Sequence, residues 1–115
     1  MSRRLQRLDA LFRQEVADLL SRELRDPRLA EIVTVTRVEV SADLQIARVY
    51  ISVLGQEGAK ASTMAALTAA ASFIRRQLTG RLTIRRVPAL HFVLDESMEE
   101  AAHVLELLKH IPGGQ

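Results

Sequence analysis

Five arginines with no acidic neighbour are the groups in this chain best placed to do chemistry. Arg75, Arg76, Arg81, Arg85 and Arg86 follow Lys60 in a stretch from 58 to 94 that contains no Asp or Glu. A guanidinium is permanently charged and presents planar donors that match phosphate oxygens, so such a cluster suits a polyanion. Arginines elsewhere often solvate a helix face or pair with carboxylates, but here no carboxylate lies nearby in sequence. Arg3, Arg4 and Arg7 form a second basic group, less isolated because Asp9, Glu15, Asp18 and Glu23 are interspersed along the following residues. The net charge of +2 conceals a polarity: residues 1–94 hold fifteen Lys/Arg against nine Asp/Glu, net +6, whereas residues 95–115 set Lys109 against five acids, net −4. Backbone charge drives nucleic-acid affinity, so Arg3, Arg4, Arg7, Lys60, Arg75, Arg76, Arg81, Arg85 and Arg86 are the expected RNA contacts.

Other chemistries find little support. The chain has no cysteine, which removes disulfides and thiolate chemistry and fits a reducing, cytoplasmic setting. No serine sits in a Gly-x-Ser-x-Gly turn, and Gly55, Gly58 and Gly80 fit no phosphate-cradling loop, so neither a catalytic residue nor a cofactor nor a small-molecule substrate is expected. Glu99 and His103 stand four apart on one helical face, but two ligands make a weak metal site and the bland reading is a solvated face. His91 and Asp95 lie about 13 Å apart along a strand, too far to act as an acid–base pair. The alanine-rich run from 61 to 72 is too short to span a membrane, and charges after Arg7 rule out a signal-peptide core. Aromatic residues make up 3% of the chain; Phe12 and Phe73 fall on or beside helical core stripes and Phe92 in a strand, leaving Tyr50 alone on an open sheet face. Without a stacking platform, recognition of folded RNA by phosphate and shape is favoured over reading of single strands.

The elements that must hold these groups follow from periodicity. Leu5, Leu8, Phe12, Val16 and Leu19, widened by Leu11 and Leu20, recur at helical spacing and predict a helix to about residue 25, ended by Asp26-Pro27-Arg28-Leu29. Residues 32–40 read as a strand with Ile32, Thr34, Thr36, Val38 and Val40 on one face and Val33, Val35, Arg37 and Glu39 on the other. A turn at Ser41-Ala42-Asp43 leads to a second strand whose core face is Ala47, Val49, Ile51 and Val53, completing a hairpin. Met64, Leu67, Ala71, Ile74 and Leu78 predict a long or kinked helix, and residues 89–95 a third strand after Pro88. Ser97-Met98-Glu99-Glu100 matches a capping box opening a last helix, with Ala101, Val104, Leu105 and Leu108 expected to face the core. The sum is an α+β fold in one domain over residues 1–110, with a flexible tail over 111–115.

Several segments, in this order, carry a resemblance: Asp26-Pro27-Arg28-Leu29, Val40-Ser41-Ala42-Asp43-Leu44, Ala47-Arg48-Val49-Tyr50, Phe73-Ile74-Arg75-Arg76 and Arg85-Arg86-Val87-Pro88-Ala89-Leu90-His91-Phe92, leading to Asp95-Glu96-Ser97. In combination the chain resembles the ribosome-binding factor A family from about Arg3 to Leu108. The resemblance implies a type II KH-like domain, α-β-β-α-kink-α-β, with an additional C-terminal helix. An interhelical Ala-x-Gly kink replaces the usual RNA-gripping loop in that family. Its match here is Ala70, Ala71 and Ser72, with serine where the family typically has glycine; a serine hydroxyl bonding back to a carbonyl four residues earlier bends a helix. The resemblance further implies a non-catalytic factor, monomeric and cytoplasmic, that binds the free 30S ribosomal subunit near its neck and assists late maturation of its 16S rRNA, chiefly in the cold. The rival expectation, from the charge polarity alone, is a protein-interaction module whose basic face meets an acidic partner.

Overall fold

The first apolar stripe forms α1 (Arg3–Arg22) in a computed structural model of the protein that describes residues 3–22 and 32–111. The expected turn at Asp26-Pro27-Arg28-Leu29 and the tail beyond Ile111 lie outside the described residues. Phe12, Val16 and Leu19 are buried on one side of α1, and Leu8 and Leu20 pack beside them. Removing such side chains from water contributes about 1.5–3 kcal/mol each, which is what holds α1 on the sheet. Its register is set by Asp9, whose Oδ1 accepts a hydrogen bond from the Val40 N–H at 2.9 Å.

Three strands follow as a mixed sheet: β1 (Ile32–Val40), β2 (Ile46–Leu54) and β3 (Ala89–Leu94), in the order β1-β2-β3. β1 and β2 are antiparallel and joined by the predicted turn, in which Ser41 Oγ and the Gln45 N–H both donate to Asp43 Oδ1, at 2.7 and 3.1 Å. Leu44 closes that turn at φ 60°, a left-handed conformation that costs a side-chain-bearing residue about 1–2 kcal/mol. The strict alternation expected for β1 does not hold. The register shifts between Val35 and Arg37, so Thr36 is an extra residue, and Val33 and Val35 before it share the inner face with Val38 and Val40 after it. The bulge thus lets Val33, Val35, Val38 and Val40 face the same core, which at this spacing a regular strand cannot do.

β2 is central and pairs in parallel with β3, a connection that requires a crossover element. That element is α2 (Ala59–Arg81), which starts after Gly58 at φ 85°. α2 runs unbroken through Ala70, Ala71 and Ser72, so the kink expected there does not divide it into two helices. Thr63, Ala66, Leu67, Ile74 and Leu78 are buried along one continuous face, Thr63 as completely as the leucines. α1 and α2 cover one side of the sheet, with Leu82 and Val87 of the α2–β3 connection completing the core.

The last helix departs most from expectation. α3 (Ser97–Lys109) has no buried residue, and Val104, Leu105 and Leu108, expected in the core, are 53%, 61% and 55% exposed. The capping box does not form either: Ser97 is already helical, and its N–H donates to Asp95 Oδ1 at 2.9 Å instead. α1 and α2 already cover the inner face of the sheet, and α3 follows β3 outside that core.

Candidate nucleic-acid interface

The α2–β3 connection, residues 82–88, is where the basic groups converge. Arg75, Arg76, Arg85 and Arg86 line one shallow depression with Thr79 and Val87. The fold brings them together through Arg75 itself, whose Nε and Nη2 both donate to the Val87 carbonyl, at 2.9 and 2.7 Å. That carbonyl immediately precedes Pro88, and clamping it ties the connection to the last turns of α2. Arg75 is therefore a positioning residue. Arg76, Arg85 and Arg86 are exposed and, among the described residues, have no carboxylate partner.

Two of the predicted contacts are engaged elsewhere. Arg81 Nη1 lies 2.8 Å from Asp18 Oδ2 and 3.5 Å from Glu15 Oε2, bolting α2 to α1. Its sequence neighbourhood holds no acid, but α1 supplies two from 63 and 66 positions away. Lys60 Nζ bonds Glu96 Oε2 and Glu99 Oε2, both at 2.6 Å, and these hydrogen bonds, Glu96 first, raise its pKa. Both cations are locally neutralised, which makes them poor phosphate ligands.

Arg3, Arg4 and Arg7 are exposed on the first turns of α1. Arg4 and Arg7 rim an apolar groove floored by Leu5, Leu8, Leu11, Leu44 and Ile84. Ile84 precedes Arg85, so the groove and the arginine depression border the same connection and form two halves of one basic side. Ala70, Ala71 and Ser72 sit mid-helix and do not line the depression.

The open face of the sheet offers a different surface. Arg37 stacks over the Tyr50 ring at 4.1 Å from its centroid, and the Tyr50 hydroxyl donates to Glu39 Oε1 at 2.6 Å, which raises the pKa of the phenol. The one exposed-face aromatic is thus already occupied on one side of its ring. At the edge, Asp95 Oδ2 accepts from the Thr36 hydroxyl at 2.6 Å. Hydrogen bonds from the Ser97 side chain, then from Thr36 and the Ser97 N–H, hold the Asp95 carboxyl down at about 2. Sequence reasoning missed this link because the bulge that delivers Thr36 is itself invisible to a period-two pattern. As for metal, Glu99 Oε2 is committed to Lys60, and no group of three or more ligating side chains occurs among the described residues.

Three helices and a three-stranded mixed sheet, with one arginine-lined side, define a KH-like α+β module. Residues 4–108 match the sequence pattern of ribosome-binding factor A, and the chain belongs to that family. A ribosome-binding factor A from Synechocystis is 45% identical over 112 residues, covering 96% of this chain and 84% of the relative. The crystal structure of the Thermus thermophilus protein superposes with a TM-score of 0.70 at 29% identity, over 78% of this chain and 93% of that one. A homology model of the same Thermus protein, fitted into a cryo-electron-microscopy map of its complex with the 30S subunit, gives a TM-score of 0.66 at 28% identity over the same shares.

Proposed function

We propose that this protein is a non-catalytic assembly factor that binds the free 30S subunit and assists late maturation of its 16S rRNA. The observation that carries the reading is the gathering of Arg76, Arg85 and Arg86, with no carboxylate partner among the described residues, around a connection that Arg75 holds in place. Arg4 and Arg7 extend the same side, and Arg3 stands beside them. The Thermus relative, fitted as a homology model into a map of a 30S complex, supports the small subunit as the partner. The factor works as a cytoplasmic monomer with no reaction of its own. It binds one rRNA arrangement more tightly than its alternative and shifts the equilibrium between them by that difference in affinity, and by no more.

Sedimentation of a cell lysate through a sucrose gradient tests this. The protein is expected with free small subunits and depleted from whole ribosomes. Recovery only at the top of the gradient, at low salt as well as high, overturns the reading.

A further inference from the structure

α3 leaves its apolar residues in solvent: every residue from Ser97 to Lys109 is exposed except Glu99, which is half-buried. At about 100° per residue, Ala101, Val104, Leu105 and Leu108 span an arc of about 100°, and Glu99 lies about 170° from its centre. Lys60 holds Glu99 of α3 and Glu96 just before it at 2.6 Å, which fastens the first turn of the helix opposite the stripe and leaves the stripe uncovered. Folding alone gives no reason for this arrangement, since burial of the stripe would stabilise the chain and exposure forgoes that gain.

The charge on α3 identifies what covers it. Residues 95–115 set five acids against Lys109; Glu99 pairs with Lys60 and Glu106 lies 3.8 Å from Lys109 and 3.2 Å from His110, and Glu100, bordering the stripe, has no side-chain partner among the described residues. Phosphates would be repelled from such a helix, and a basic surface attracted. α3 is also remote from the arginines: β3 runs from Ala89 beside their connection to Leu94 beside α3, five residue steps or about 17 Å.

Resting on the subunit-binding reading, we propose that α3 docks, by its Val104, Leu105 and Leu108 stripe, into an apolar groove on a basic protein of the small subunit, while the arginines hold rRNA. An acidic amphipathic helix in a groove of opposite charge draws its affinity from the apolar anchors and its orientation from the charged rim.

The test compares the wild-type chain with the double variant Leu105→Ser, Leu108→Ser on two probes: purified free small subunits and protein-free 16S rRNA. Both side chains are exposed, so the variant is expected to keep its melting temperature. Its affinity for subunits should fall about tenfold with an unchanged salt slope, its affinity for naked rRNA should stay the same, and a photo-crosslinker at position 104 should capture a ribosomal protein. Equal losses on both probes, no loss on either, or crosslinks to rRNA or to a second copy of this chain overturn the proposal. A wild-type chain that binds rRNA but not subunits, or neither, removes the parent reading as well, and is told apart because the variant is then never the discriminating sample.

Discussion

Arg76, Arg85 and Arg86 line the depression with no carboxylate partner among the described residues, and replacing all three with alanine isolates their part in binding. Arg75 is kept because its guanidinium is spent on the Val87 carbonyl, and Arg81 because it is spent on Asp18 and Glu15. If each of the three neutralises one phosphate, the slope of log affinity against log salt should become shallower by about 0.8 per arginine, or about 2.4 in all. Across a fourfold rise in KCl, from about 50 to about 200 mM, wild-type affinity should then fall about thirtyfold further than that of the variant. Fluorescence anisotropy of labelled protein titrated with free small subunits at four salt concentrations measures both slopes. Parallel lines would mean that these arginines solvate the surface and nothing more, and the interface would have to be sought elsewhere.

Arg81→Ala should leave that salt slope unchanged but lower stability by about 1 kcal/mol, because the pair it breaks is partly exposed and Asp18 keeps Arg22 at 2.7 Å. Thermal unfolding should show a drop of about 4 °C, and an unchanged transition would show that the α1–α2 bolt bears no load. Thr36→Val removes a hydrogen bond that depresses the Asp95 pKa, so the Asp95 carboxyl, followed by NMR, should titrate above its wild-type value of about 2. A depressed carboxylate stabilises the fold above its ordinary pKa, 3.8, and loses that contribution as pH falls toward 2; the variant should therefore differ from wild type at neutral pH and converge with it in acid. Leu44→Gly relieves a φ of 60° and should raise the melting temperature modestly, by about 1 kcal/mol of stability at most; a lower melting temperature would mean that its contacts in the groove outweigh the strain.

Local pattern made much of the fold legible. Helical spacing from Leu5 to Leu19 and alternation from Ala47 to Val53 identify α1 and β2, because each has one face in the core and a regular repeat. β1 was harder, since one extra residue at Thr36 swaps the faces halfway along and leaves a run of valines that fits either assignment. The site was legible as a composition and not as a geometry. A stretch free of acids says nothing about acids arriving from another element, which is how Arg81 and Lys60 come to be neutralised. The stripe on α3 announced an apolar partner, but amphipathicity does not distinguish a partner in the same fold from one outside it.

The Arg75 clamp also bears on how fast the protein finds its target. A loop that orders only on contact slows the docking step and surrenders about 1 kcal/mol or more for each residue it fixes. Here the Val87 carbonyl is gripped by two donors before any phosphate arrives, so the ordering of residues 82–88 belongs to folding. Encounter then becomes a collision between preformed surfaces steered by charge, and the association rate should track ionic strength and not loop dynamics. Loosening the clamp, as in Arg75→Met, should be felt first as slower capture.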